Sequence, residues 1–433
     1  MRAGKFILYI VLSFSLTPQR DLNKNIPGPP TDSLGKINKW LYDSMRLYYY
    51  WANDMPSHPD YSLPTQDFFK QLLSPKDRFS WISNRSTIVQ PKSAAELYGF
   101  HYRLIPHPFN SGQLAGIVTC VVPRSQAATK GLQRGMLFTK VNNKIINTQN
   151  RLAFMHDLQA QSAMLQLSVF NNDRSALVDS VRIAVQSSYV PQKSVYATRV
   201  FEQNGIKTGY LAYFLCAESQ DAILVQSVTK LKKAGIAECI LDLRYNPGGS
   251  VASAAKLAAM LVPVFNPAQT FITYTGNKHG GTVKQSFQRA ISFSGNAAGK
   301  NMQELQSLNL HLRRLYILTS SVTASAAEVL ANNLSPFMQV IRIGETTLGK
   351  DEASFLIEDW RTPKQVNWIM MPTIYKITDA KGRGNYAGGL VPHHFVVETG
   401  RLPLPALGLP GDTPVDKALT LIYENTAVQV LDL

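Results

Sequence analysis

Three cysteines in 433 residues, Cys120, Cys216 and Cys239, are too few and too scattered for a disulfide framework, and no CxxC or Cys/His spacing offers a metal site. Each lies in an apolar, strand-like stretch and reads as a buried core thiol. Charged side chains are also scarce, at 17% against 45% hydrophobic, which excludes disorder and leaves apolar material for cores. Acidic residues are the least abundant charges: 29 Asp and Glu against 44 Lys and Arg give a formal charge of +15. The basic residues are spread out rather than gathered into runs, so solvated faces are expected and a nucleic-acid partner is not. Association with an anionic membrane surface stays compatible with the charge. Long hydrophobic runs are missing after the first residues. There, Phe6–Leu16 forms an apolar run of 11 positions behind Arg2 and Lys5, the length of a signal-peptide core and short of the roughly 20 residues that cross a bilayer. Residues 1–25 are therefore expected to be a signal peptide and leader, with the chain exported to the cell envelope.

Residues 26–92 open with a Pro-rich linker, after which Ile37, Trp40, Leu41, Met45, Tyr48 and Tyr49 recur at helical spacing. A short helix over 67–73 and the stretch Asp77-Arg78-Phe79-Ser80-Trp81 complete an aromatic-rich helical cap. The period then changes. Strands are expected over 98–104, 116–122 and 164–170, a hairpin turns at Asn142-Asn143, and a helix runs over 151–161, making residues 93–188 a small β-rich domain. From 189 to 433 strands and helices alternate, the pattern of an α/β layer with parallel strands, in which ligand chemistry collects beyond the C-terminal strand ends. Residues 263–304 show no assignable pattern.

Two of those strand ends are unusual. After the strand through Leu318, small residues run straight into a helix, which puts the Ser325 hydroxyl at a helix N-terminus where free N–H groups converge. After the strand through Asp242, Gly248-Gly249 lets backbone approach a ligand with no side chain in the way. A serine needs a base, and the eight histidines show no Ser/His/Asp pattern tied to these ends. Lys350 follows the next strand through a glycine-bounded turn, and burial would lower its pKa toward the neutral form a base requires. Alone, Ser325 is an ordinary helix cap and Lys350 a solvated turn residue; their combination with Gly248-Gly249 is what carries meaning. Glu328, three residues into the helix, is expected to reach back to a backbone N–H in capping-box fashion. Asp242 and Arg244 are expected to shape the strand end, and the adjacent His393 and His394 point to opposite faces and suit no metal.

The set Asp242-Leu243-Arg244-x-Asn246-Pro247-Gly248-Gly249, Ser325-Ala326-x-Glu328 and Gly344-Glu345-x-Thr347-x-Gly349-Lys350 resembles the carboxy-terminal processing (tail-specific) serine proteases. The N-terminal helix and Asp77–Trp81 are similar to envelope members from Bacteroidetes-type bacteria. Gly131-Leu132-x-x-Gly135 leading into a strand resembles a PDZ domain. The resemblance implies an α/β catalytic domain of ClpP/crotonase-like β/α layers, an inserted or preceding PDZ-like β-rich domain, and a small helical cap. It further implies Ser325 as nucleophile, Lys350 as general base and later acid, and an oxyanion hole from the N–H of Ala326 with that of Gly248 or Gly249. Four positions after the lysine, where the family often has an orienting glutamine, stands Ser354, whose shorter side chain would hold the lysine more loosely. In the PDZ-like unit, Tyr98-Gly99-Phe100-His101 falls where a carboxylate-binding loop is expected. Substrates with apolar C-termini, no cofactor and no metal are implied. The rival readings are an inactive PDZ-bearing peptide-binding scaffold of the same fold and a non-catalytic carrier of small hydrophobic ligands.

Overall fold

Five parallel strands frame the larger unit: Ile206–Tyr213, Glu238–Asp242, Arg314–Thr319, Gln339–Gly344 and His394–Phe395 are neighbours in that order. Val195–Gln203 and Gln429–Leu431 add antiparallel at the other edge. The computed structural model describes residues 33–87, 92–188, 190, 193–292, 302–423 and 429–431, so the expected leader at 1–25 lies outside the described residues. Among them, no helix is long and apolar enough to cross a membrane.

The central strands are continuous apolar runs because both faces of the sheet are covered. Leu211, Leu241 and Ile317 face a core with the helices Asp221–Ala234, Val251–Leu261 and Ala326–Asn333. Their alternates Tyr210, Ile240 and Leu318 face Val415, Ala418 and Leu419 of the helix Thr413–Tyr423. Cys120, Cys216 and Cys239 are free and buried, as their apolar surroundings suggested. The chain leaves three adjacent parallel strands at Asp242, Thr319 and Gly344, so the loops carrying Gly248-Gly249, Ser325 and Lys350 leave the same end of the sheet.

Residues 100–186 form a separate antiparallel sheet of Phe100–Pro106, Leu114–Val121, Leu137–Val141, Ser162–Phe170 and Leu177–Gln186, with Lys144–Ile145 closing a hairpin. Asn142 and Asn143 turn that hairpin with φ of +50° and +64°, the left-handed pair a tight two-residue turn requires. The helix expected to reach Gln161 stops at Asp157. Leu177–Gln186 was not among the expected strands, although Val181, Ile183 and Val185 alternate and the last two are buried; most of the strand is exposed.

The N-terminal helices Ser33–Tyr48 and Thr65–Leu72 pack through Leu41, Met45, Phe68 and Phe69. The helical cap also contributes a strand that was not expected: Trp81–Asn84 pairs antiparallel with Trp368–Met371. Pairing with a partner nearly 290 residues away leaves no local signal in a four-residue strand. The stretch from 263 onward contributes Thr270–Thr275 and Thr282–Ser286, which join Thr373–Thr378 and Glu352–Ser354 in a four-stranded sheet.

Arg244, 1% exposed, ties the end of the strand Glu238–Asp242 to Glu398 and Asp412 within the larger unit. Its guanidinium donates to Asp242 at 2.7 Å, to both oxygens of Asp412 at 2.9 and 2.7 Å, and to Glu398 at 2.9 Å. From the antiparallel unit, Arg134 reaches the same Glu398 at 2.7 Å, the Tyr245 hydroxyl at 2.9 Å and the Pro405 carbonyl at 2.7 Å. Burial works against the charge of Arg244, but three carboxylates hold its pKa well above the usual value. Replacing Arg244 by alanine leaves those carboxylates short of a cation, and a loss of about 3–5 kcal/mol is expected. Urea unfolding measures it, and a shift well under 1 kcal/mol would remove Arg244 from this role.

Candidate active site

Ser325 stands between the strand Arg314–Thr319 and the helix Ala326–Asn333 with φ +54° and ψ −121°, a conformation that a residue with a side chain rarely adopts. Such backbone costs on the order of 1–3 kcal/mol and persists where the surroundings over-determine it. Here they do. Thr323 donates through its hydroxyl to the Leu243 carbonyl at 2.8 Å, the Ala324 N–H donates to Asn246 O at 3.1 Å, and the Ser320 hydroxyl donates to the Arg244 carbonyl. The serine loop is thus laced to the Gly248-Gly249 loop.

Gly248 lies so close that a Cβ there would come within 2.7 Å of Ser325 Cβ and 2.9 Å of the Ala326 nitrogen. Its φ of +102° also favours glycine. The Gly248 N–H is occupied, donating to Asn246 Oδ1 at 2.8 Å, while its carbonyl accepts from Cys216 N at 2.9 Å. A Cβ on Gly249 would fall 2.2 Å from the Cys216 carbonyl oxygen.

Glu328 is fully buried and does more than cap its helix. Its Oε2 accepts from the Ser325 N–H at 2.9 Å and from the Lys350 N–H at 2.8 Å. Its Oε1 accepts from the Gly349 N–H at 2.7 Å and from the Thr347 hydroxyl. One carboxylate oxygen therefore bridges the backbones of Ser325 and Lys350. The segment Tyr386–Leu390 braces the lysine loop from outside: Leu390 N donates to Thr347 Oγ1 at 2.7 Å, and a Cβ on Gly349 would meet the Ala387 carbonyl at 2.3 Å.

Lys350 is half-buried, and burial pushes its pKa below the usual 10.5, while the charges of Glu352 and Glu328 pull it back up. Its Nζ sits 5.1 Å from the centroid of the Phe79 ring. Ser354 lies in the strand Glu352–Ser354 opposite Thr373, beyond a register shift, and no hydrogen bond joins it to Lys350 among the described residues. The acid two residues after the lysine is the influential neighbour on that strand: Glu352 is buried and held by Lys376 at 2.8 Å and Thr373 at 3.0 Å. Nothing in a K-x-E spacing alone announced this.

The residues Tyr98–His101 are placed differently from one another. Tyr98 is buried, donates to the Ala160 carbonyl at 2.6 Å, and has its pKa pushed up to about 12 by burial. The N–H groups of Tyr98 and Gly99 both donate to the Ala94 carbonyl, at 2.9 and 3.1 Å, so neither is free for a carboxylate in this conformation. Phe100 is fully buried in the core of the antiparallel sheet. His101 stacks on Tyr245 of the α/β unit at 6.0 Å, and burial pushes its pKa down to about 4, leaving it neutral near pH 7. A cavity of about 460 Å³ opens between Phe100–Arg103 on one side and Tyr196, Phe214, Pro247 and Val322 on the other. Arg103 spans the same junction, pairing with Glu345 on the lysine loop through both guanidinium nitrogens. Neither the cavity nor this ion pair was signalled by any local motif, since both require two units to meet.

The sequence profile of peptidase family S41 matches residues 207–396, and that of the peptidase S41 N-terminal domain matches 36–81. A carboxyl-terminal-processing protease of Picosynechococcus is 23% identical over 341 residues, covering 74% of each chain. The carboxy-terminal processing protease CtpA of Bacillus subtilis is 23% identical over 355 residues, 80% of this chain and 67% of that one. A crystal structure described as a candidate S41 protease from Bacteroides fragilis superimposes with a TM-score of 0.71 at 25% identity, covering 95% of this chain and 100% of the other. The photosystem II D1 C-terminal processing protease shares the fold, with a TM-score of 0.50 at 18% identity over 85% of this chain and 93% of that one. The two profiles account for more than half of the chain, which belongs to peptidase family S41 and is a serine peptidase similar to carboxyl-terminal-processing proteases.

Proposed function

We propose that this chain is an endopeptidase working through a Ser325–Lys350 dyad on proteins held by their C-terminal tails. The observation that supports it best is Glu328, whose one oxygen accepts from the backbones of both residues. In this reading Ser325 Oγ attacks the scissile carbonyl carbon and passes its proton to neutral Lys350 Nζ. The developing oxyanion lies at the start of the helix Ala326–Asn333, facing the Ala326 N–H. Because the Gly248 N–H is spent on Asn246, the second donor is assigned to Gly249, and Gly248 serves as the wall a side chain would block. Lys350 then protonates the leaving amine, and deprotonates the water that frees Ser325 from the acyl group.

We read residues 93–188 as a PDZ-like unit that presents the tail, and 189–433 as the catalytic domain. Supporting this is the cavity between Phe100–Arg103 and Pro247–Val322, whose lining is largely apolar and suits apolar C-termini. Since the N–H groups of Tyr98 and Gly99 are engaged, capture of a carboxylate at Tyr98–His101 requires that loop to rearrange. The apolar run at Phe6–Leu16 supports export to the cell envelope.

The test is cleavage of an unstructured protein with an apolar C-terminus, with fragments identified by mass spectrometry. Ser325→Ala and Lys350→Ala are each expected to remove cleavage without loss of folding, and Ser325→Ala to remove labelling by a fluorophosphonate. Equal fragments from wild type and both variants would sink the dyad. Glu328→Ala strands three backbone and hydroxyl donors beyond the Ser325 N–H, and is expected to cost at least about 3 kcal/mol of stability. Its fluorophosphonate labelling should slow even at temperatures where circular dichroism reports a folded chain; unchanged labelling would remove Glu328 from the alignment of the dyad.

A further inference from the structure

We propose that the segment Asp77–Trp81 is part of the active site, with Phe79 and Arg78 as positioning residues that hold the Lys350 amine in place and shut it off from water. The inference rests on the reading of Lys350 as the base. The segment is rigidly mounted. Asp77 Oδ1 accepts from the N–H groups of Phe79 and Ser80, both at 2.9 Å, and Asp77 Oδ2 accepts from the Ser80 hydroxyl. Ser80 Oγ in turn accepts from Thr373 N at 2.8 Å, and Trp81 pairs with Met371, so the turn is fastened to the strands next to Lys350. From that mount the Phe79 ring lies 5.1 Å from Lys350 Nζ, the Arg78 guanidinium lies 4.7 Å from the same ring, and Arg78 donates to the Gly349 carbonyl.

The charged groups facing the amine come from two further elements. Glu352 approaches from the strand after the lysine and Glu328 from the helix after Ser325, while Arg78, exposed, is held on the Gly349 carbonyl beside it. Lys376, on Thr373–Thr378, neutralises Glu352 at 2.8 Å and Asp351 at 2.7 Å. Buried Tyr386, near Glu328 and Asp351, is held uncharged. The ring acts in two directions. Its π face favours the ammonium, whereas exclusion of water disfavours a lysine charge, and at Lys350 burial outweighs the charges of Glu352 and Glu328. Exclusion therefore dominates.

The experiment is the pH dependence of fluorophosphonate labelling of Ser325 in the full chain, with Lys350→Ala as reference. Reactivity requires the neutral amine, so it rises with pH up to the lysine's pKa. Phe79→Ala admits water and should move this limb upward by about one pH unit, roughly tenfold slower labelling at pH 7 that recovers at higher pH. Phe79→Leu keeps water out and should leave the limb in place or slightly lower. Arg78→Gln releases the Phe79 ring and the Gly349 carbonyl, should likewise admit water and move the limb upward, and serves if Phe79→Ala does not fold. A slower rate at every pH with an unmoved limb, in a series where Lys350→Ala is unreactive, would overturn the inference while leaving the dyad standing. Reactive Lys350→Ala would overturn the dyad, and the inference with it.

Discussion

The carboxylate of Glu328 accepts four hydrogen bonds inside the protein: from Ser325 N, Gly349 N, Lys350 N and the Thr347 hydroxyl. Burying a carboxylate is costly unless its lone pairs are met, and here donors from two loops and the positive end of a short helix meet them. The consequence is geometric. Ser325 and Lys350 follow adjacent parallel strands and are 25 residues apart in sequence, yet their backbones share one oxygen atom as a common reference. The strained backbone at Ser325 is tolerable because its N–H is claimed by Glu328 and the preceding residues are tied to the Gly248 loop.

Around that centre the structure is held by arginines, of which Arg134, Arg103 and Arg78 cross between units. Arg244 and Arg134 share Glu398, so the loop behind Gly248-Gly249 and the antiparallel unit depend on one buried set of charges. Arg103 pairs with Glu345, five residues before Lys350, and Arg78 reaches the carbonyl just before the lysine. The lysine loop is thereby touched from the antiparallel sheet, from the N-terminal segment and from Tyr386–Leu390. A small movement of any of these would be felt at Lys350, because the packed loop has few ways to yield.

Much of the α/β layer was legible because its strands are apolar on both faces and its helices are amphipathic. The strands expected through Asp242 and Leu318 are Glu238–Asp242 and Arg314–Thr319. The small-residue run into Ser325 and the double glycine at 248–249 marked the strand ends that matter. Less legible were elements whose partners lie far away or in solvent. Leu177–Gln186 buries only Ile183 and Val185 and leaves most of its length exposed, and Trp81–Asn84 exists as a strand because Trp368–Met371 lies beside it.

The sequence by itself determined which residue types stand at the strand ends: a serine entering a helix, glycines with no side chain to obstruct, and a lysine beyond the next strand. Those are local properties, set by hydrophobic period and by the backbone freedom of glycine. The tertiary structure alone decided that one carboxylate bridges the serine and the lysine. It also decided that the Gly248 N–H is spent on Asn246, that Glu352 rather than Ser354 is the lysine's influential neighbour, and that the Phe79 ring lies 5.1 Å from the amine. These facts depend on chain segments brought together across as many as 271 positions, as Arg78 and Gly349 are, and side-chain reach and burial have no counterpart in linear spacing.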